Sequence, residues 1–266
     1  TSSNDDEASS WNKAQHVDVR PLQDHVNRIR TELAKVVVGQ DNLVDLLLAG
    51  MFVGGHCLVE GLPGIAKTLT SKLLAQTITA SYSRIQFTPD LMPTDITGTS
   101  VFNVKEGEFY FRKGPIFANI VLIDEVNRAP AKTQAALMEV MEEKQITYDG
   151  ELYKLTYPFF IIATQNPVEQ EGTYNLPEAQ LDRFIFKINL DYPSLEEEEL
   201  ILSRFENDFE SNQNSEVKSV IDAAGIKQCA QVVEKVYMRP ELLKYIAAII
   251  HNTRNNGDLY LGASPR

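Results

Sequence analysis

Residues Cys57–Ile78 read CLVE, GLPGIAKT, LTSKLLAQTI. An apolar run enters, a loop with glycines at 61 and 64 turns, and a helical pattern leaves. Strand, glycine-bearing loop and helix, in that order, are the context a phosphate-binding loop needs. Backbone N–H groups of a tight loop, backed by a helix N-terminus, cradle phosphates. In that frame the segment Gly61, Leu62, Pro63, Gly64, Ile65, Ala66, Lys67, Thr68 and Leu69 wraps a nucleotide's phosphates. The Lys67 ammonium reaches the β- and γ-phosphates, and the Thr68 hydroxyl binds Mg²⁺. One position departs from the general pattern: Ala66 stands where glycine is usual. Its methyl group resists positive φ, so the loop must tolerate it. The bland alternative is an ordinary strand–turn–helix with a chance lysine.

Four more short apolar runs follow outward from this stretch: Arg84–Thr88, Asn119–Asp124, Phe159–Thr164 and Phe184–Leu190. They alternate with helical or irregular connections. Runs apolar on both faces, alternating with helices, predict a parallel sheet covered on both sides. In such sheets ligands bind at the carboxyl ends of the strands. ANIVLIDEVNR (Ala118–Arg128) ends a buried strand on two acids. Asp124 is placed to hold Mg²⁺, and Glu125 to polarise the water that attacks the γ-phosphate. PFFIIATQNP (Pro158–Pro167) ends in Thr164, Gln165 and Asn166. The Asn166 amide could orient that water, although Asn-Pro alone reads as turn chemistry. LPEAQLDRF (Leu176–Phe184) puts Arg183 after a short helix, with no clear use in its own subunit beyond the neighbourhood of Asp182. The functional reading is an arginine finger acting in trans. Arg128 either faces the nucleotide or faces the next subunit.

Two hairpins interrupt the pattern. Val101–Phe111 turns at Glu106-Gly107, and Gln145–Leu155 turns at Asp149-Gly150, a type I′ signal. Phe109, Tyr110 and Phe111 are expected to pack, with a pore-facing grip on a client as the rival reading. Near the start, Val19, Leu22, Val26, Ile29 and Leu33 recur at helical spacing, and a second helix runs from about Asp41 to Val53. SLEE at Ser194–Glu197 is a capping box that opens a helical region with a polar break at Asn212–Ser215.

Composition bounds the function. The chain has 266 residues, of which 43% are hydrophobic and 23% charged, so global disorder is excluded. Lys and Arg number 25 against 37 Asp and Glu, a net charge of −12 that argues against a dedicated nucleic-acid binder. Cys57 and Cys229 cannot form a disulfide framework and read as small buried hydrophobes. TSSNDDEASS at the start has no leader character, and Leu43–Val53 is too short to span a bilayer. A cytoplasmic protein without membrane insertion is expected. The four histidines show no metal-ligand spacing, and Trp11 falls in the polar tail.

The set GLPGIAKT, LIDEVNRAPAKTQAALMEVMEE, IATQNPVEQEGTYNLPEAQLDRF and YLGASPR resembles the MoxR family of AAA+ ATPases, in the helix-2-insert clade. The resemblance runs from VVGQ (Val37–Gln40) to the last residue. It implies an α/β P-loop NTPase with a five-stranded parallel sheet covered by helices, two β-hairpin insertions and a small α-helical lid. Residues 1–15 would be a disordered tail, 16–192 the nucleotide-binding domain, and 193–266 a lid incomplete at its C-terminal end. By resemblance the adenine lies near Val38, Gly39 and Gln40, and Gly61–Thr68 and Ile120–Glu125 are Walker A and B. Asn166 matches sensor 1, Arg183 the arginine finger and Arg266 the sensor 2 arginine. The family implies ATP and Mg²⁺ as ligands and a homo-hexamer when nucleotide is bound. It also implies a protein client, with a von Willebrand factor A domain partner. The expected function is Mg²⁺-dependent ATP hydrolysis coupled to chaperone-like remodelling, assembly or maturation of that client. Two rivals stand beside it: a non-catalytic nucleotide-binding scaffold or switch, and a nucleic-acid motor.

Overall fold

The computed structural model describes residues 17–61, 67–166, 174–207, 217–259 and 261–265. Five parallel strands form one sheet: β1 (Cys57–Gly61), β2 (Tyr82–Gln86), β3 (Ile120–Asp124), β4 (Phe160–Gln165) and β5 (Phe186–Leu190). Their order across the sheet is β2-β3-β4-β1-β5. β1 therefore lies between β4 and β5, inside the sheet, and its last residue, Gly61, opens the segment expected to bind phosphate.

Alternation within the apolar runs explains why both faces are covered. Ile120 and Leu122 join one core together with Cys57, Val59, Phe160 and Ile162. Val121 and Ile123 join the other, with Leu58, Ile161 and Ala163. Each face needs an apolar cover, because a strand's successive side chains point to opposite sides. Helices α1 (Arg20–Leu33), α2 (Asp41–Phe52) and α3 (Lys67–Thr77) cover the first face. Helix α4 (Ala131–Glu143) covers the second through Leu137, Met138, Val140 and Met141.

The sequence places the first helix from Val17, and it begins at Arg20, where Pro21 supplies the fixed φ suited to a first turn. The edge strand was expected at Arg84–Thr88 and lies two residues earlier, since Tyr82 pairs with Ile120 and Gln86 with Asp124. Both expected hairpins form. Gly98–Asn103 pairs with Glu108–Lys113, and Gln145–Tyr148 with Glu151–Lys154. Asp149 and Gly150 take φ of 50° and 78°, the pair of positive values a type I′ turn requires.

Phe111 stacks on Tyr148 at a centroid distance of 4.8 Å and lies tilted against Tyr153 at 4.5 Å, which joins the two hairpins. Phe109 and Tyr110 depart from the packing expectation. They stay exposed, and Phe109 leans only on its cross-strand partner Phe102 at 4.9 Å.

Three further helices follow: α5 (Leu195–Asn207), α6 (Ala223–Glu234) and α7 (Pro240–Arg254). The capping box is formed in both directions. Ser194 N donates to Glu197 Oε2 at 2.7 Å, and Glu197 N donates to Ser194 Oγ at 3.3 Å. α6 buries Ile226 and Cys229 in the same core as α1 to α3, so the helical region shares a core with the sheet. The 1–15 tail, Trp11, the Asn212–Ser215 break and the resemblance-assigned Arg266 lie outside the described residues.

Candidate functional site

The carboxyl ends of β1, β3 and β4 bring the expected chemistry together. Of the loop, Gly61, Lys67, Thr68 and Leu69 are described, whereas Leu62, Pro63, Gly64, Ile65 and Ala66 lie outside the described residues. Lys67 begins α3, and its Nζ donates to the Gly61 carbonyl at 2.5 Å across the loop mouth. Burial pulls the Lys67 pKa below its ordinary value, and the fields of Asp124, Glu125 and Glu60 oppose that shift. The ammonium thus sits half-buried within the fields of three carboxylates.

Thr68 Oγ1 lies 3.4 Å from Asp124 Oδ1. A hydroxyl beside a buried carboxylate is a hard oxygen donor pair of the kind Mg²⁺ takes, with the remaining ligands left to waters and phosphates. The residues present therefore fit that ion. Among the described residues no group of three or more His, Cys, Asp or Glu side chains could hold a metal by itself.

Asp124 is 5% exposed, as expected of an acid closing the fully buried strand β3. Glu125 follows it at φ 58° and ψ 52°, in the left-handed region. A non-glycine residue there is strained by about 1–3 kcal/mol, and such strain clusters at functional sites. Thr164 connects the two acids. Its hydroxyl accepts from Glu125 N at 3.0 Å and lies 3.2 Å from Asp124 Oδ1 as a donor. Asn166 is 8% exposed and directly follows β4.

Sequence reading missed the edge strand's part in the site. Arg84 Nε donates to Asp124 Oδ2 at 2.6 Å, and Gln86 Nε2 donates to Glu125 Oε2 at 2.6 Å. Arg128, left open between nucleotide and neighbour, sits 3.2 Å from the same Glu125 Oε2. The available signal was polar alternation: Arg84 and Gln86 flank Ile85 in YSRIQ and share one face of β2.

The Val38–Gln40 segment, expected to lie near an adenine, touches the helical region. Val38 is half-buried and Gln40 is buried. Gly39 has φ +70°, and a Cβ there would run into the Glu197 carboxylate of the capping box. Arg204 of α5 donates to the carbonyls of Ala34 and Lys35, both at 3.2 Å.

Arg183 does not join this cluster. It ion-pairs with Glu142 at the end of α4, which corrects the expectation that it has no clear use in its own subunit. The pair borders a cavity of about 300 Å³ shared with Gly55, His56 and Phe184. Ile185 N bonds His56 O at 2.9 Å, so Arg183 stands at the amino end of β1 while Lys67 stands beyond its carboxyl end. The five-residue strand that lies between them is itself about 13 Å long. His56 itself is structural. Its Nδ1 accepts from Ile161 N at 3.0 Å, its Nε2 faces Met141 O at 3.3 Å, and burial pushes its pKa down to about 4. Cys57 is buried, with its thiol pushed up to about 12, and is inert.

Residues 56–186 match the family model for the ATPase family associated with various cellular activities (AAA). The chain is 45% identical over 253 residues to the uncharacterized protein YeaC of Bacillus subtilis, covering 94% of this chain and 76% of YeaC. It is 41% identical over 244 residues to the chaperone MoxR1 of Mycobacterium tuberculosis, covering 88% of this chain and 63% of MoxR1. It therefore spans less than two thirds of that relative's length. A crystal structure of a candidate ATPase from Cytophaga hutchinsonii superposes with a TM-score of 0.82 at 41% identity, over 98% of this chain and 79% of that one. Fold, site geometry and relatives agree: the chain belongs to the MoxR family of AAA ATPases, a family of ATP-hydrolysing enzymes.

Proposed function

We propose that the chain is the Mg²⁺-dependent motor unit of a protein-remodelling machine, coupling ATP hydrolysis to the remodelling, assembly or maturation of a protein client. The observation that carries this reading is the convergence of Lys67, Thr68, Asp124, Glu125 and Thr164 at one end of the sheet. The likeness to a relative named a chaperone supports a protein client. Bound Mg²⁺ would supply positive charge against the phosphates. Thr68 and Asp124 would hold that ion, and Lys67 would neutralise the phosphate oxygens. Glu125 would align the attacking water and accept its proton, with the Asn166 amide helping to orient it. Val38, Gly39 and Gln40 would border the adenine.

Arg183 would act on a neighbouring subunit's nucleotide, since a strand's length separates it from its own. Arg266 would serve as the sensor 2 arginine. In this reading residues 16–192 form the nucleotide-binding domain and 193–266 the lid. The working assembly is a homo-hexamer, with a von Willebrand factor A domain partner. Two buried free cysteines suit a reducing cytoplasm. Among the described residues no helix is long and apolar enough to cross a membrane.

Two variants test the site. Lys67→Ala should weaken binding of a fluorescent ADP analogue at least about tenfold. Glu125→Gln should keep that binding while phosphate release falls by roughly 10²–10⁴. Equal turnover by Glu125→Gln and the parent chain, in a contaminant-free preparation, would sink the assignment.

A further inference from the structure

Among the described residues Asp124 is the one buried acid, and both of its oxygens are engaged. The contacts on Oδ1, from Thr68 and Thr164, are neutral and long, at 3.4 and 3.2 Å. The contact on Oδ2 is short and charged: the Arg84 guanidinium at 2.6 Å. An ionised acid closing an apolar strand needs a cation nearby, and Arg84 provides one. The two partners are unequally fixed. The Asp124 side chain is 7% exposed, whereas that of Arg84 is 53% exposed. A half-exposed arginine on an edge strand can withdraw into water at small cost, which the buried acid cannot do.

Arg84 is also tied to the second acid. Its Nη2 lies 3.4 Å from Gln86 Oε1, and Gln86 in turn holds Glu125. One face of β2 thus touches both carboxylates of the site.

We propose that Arg84 is a positioning residue of the metal site, whose guanidinium and a divalent cation compete for the charge of the one Asp124 carboxylate, Arg84 from the Oδ2 side and the ion from the side that faces Thr68. The inference rests on the reading of Thr68 and Asp124 as the metal-holding pair. Arg84 holds the Asp124 carboxylate aimed and counter-charged, and it loosens its hold when a divalent ion takes over the counter-charge. One positive group leaves as another arrives, so the buried acid is never left without a counter-charge. The consequence is a raised threshold: more Mg²⁺ is needed to load the site than the two oxygen ligands alone would demand.

The test titrates Mg²⁺ against the full chain at fixed fluorescent ADP analogue after chelator treatment, with no turnover involved. Arg84→Gln should lower the half-saturating Mg²⁺ concentration about five- to tenfold, the range of one partly exposed charge coupling. Binding of the analogue without Mg²⁺ should change less than about twofold. Arg84→Lys, a shorter point charge, should fall between the two. A purely structural ion pair would move the unfolding midpoint and leave the Mg²⁺ midpoint where it was, and that result overturns the proposal. So does a Mg²⁺ midpoint that rises. If Arg84→Gln does not fold, Arg84→Lys decides. Failure of both to fold also overturns it, because the pair would then serve the fold. Parent chain and Asp124→Asn binding the analogue alike, with no Mg²⁺ dependence, would instead show that the metal-pair reading has failed, and the proposal would fall with it.

Discussion

Replacing Thr164 with valine removes one oxygen atom from a side chain that is 4% exposed. That oxygen accepts from Glu125 N at 3.0 Å and faces Asp124 Oδ1 at 3.2 Å. Without it, a backbone donor loses its partner in a buried place, which costs about 1–3 kcal/mol. The lost bond to an ionised acid is worth about 1.5–3 kcal/mol. Both effects pass through one atom and do not add fully, and valine returns a methyl group, so the net loss should be about 3 kcal/mol. With a urea dependence near 3 kcal/mol/M, the unfolding midpoint should fall by about 1 M. Glu125 would also lose the bond that holds it at φ 58°. Phosphate release should therefore fall at least about tenfold while nucleotide affinity stays within about threefold. Thr164→Ser keeps the oxygen and should restore most of both. Urea unfolding followed by circular dichroism, beside single-turnover phosphate release, measures the two effects. A valine variant whose midpoint stays within about 0.3 M of the parent would refute the reasoning.

Two further outcomes are expected. The His56 pKa is about 4 when folded and near its ordinary 6.5 when unfolded, so between those values the unfolded chain binds the extra proton. Stability should then be complete above about pH 6.5 and drain by about 3 kcal/mol as pH falls toward 4, a slope that His56→Gln should flatten. Urea midpoints that do not change between about pH 7 and 5 would contradict it. Arg183→Ala should cut phosphate release by roughly 10³ on its own, and mixing it with Glu125→Gln subunits should recover activity. The recovery pairs an intact site with an intact arginine from the neighbour, and a mixture as inactive as its parts would count against action in trans.

The three inner strands were legible because they are short apolar runs buried on both faces, and IVLID and FIIAT could hardly be anything else, whereas the half-exposed edge strand YSRIQ was placed two residues late. The SLEE cap and the Asp149-Gly150 turn were legible because their chemistry is local. That Lys67, Thr68, Asp124 and Glu125 gather at one end of the sheet was legible because strand ends point the same way in a parallel sheet. What stayed hidden depends on which strands lie side by side. Arg84 meets Asp124 across 40 residues, and Gln86 meets Glu125 across 39, only because β2 pairs with β3. The Arg183–Glu142 pair likewise needs the end of α4 brought to the turn before β5. The Arg128–Glu125 contact, three residues apart, was within reach of spacing alone.

On the proposed reading, the placement of Arg183 at the opposite end of β1 from Lys67 would give each subunit a polarity, a donor pole and an acceptor pole. If the arginine serves a neighbour, contact must run head to tail, with unlike patches meeting. Such a contact is not self-complementary, so every added subunit presents a fresh unpaired pole. The assembly must either bend until it closes or grow as an open helix. The angle between poles, not the strength of any one contact, then sets how many subunits complete the circle. A small change in the turn that carries Arg183 could thus alter the size of the assembly while leaving every nucleotide contact within a subunit intact.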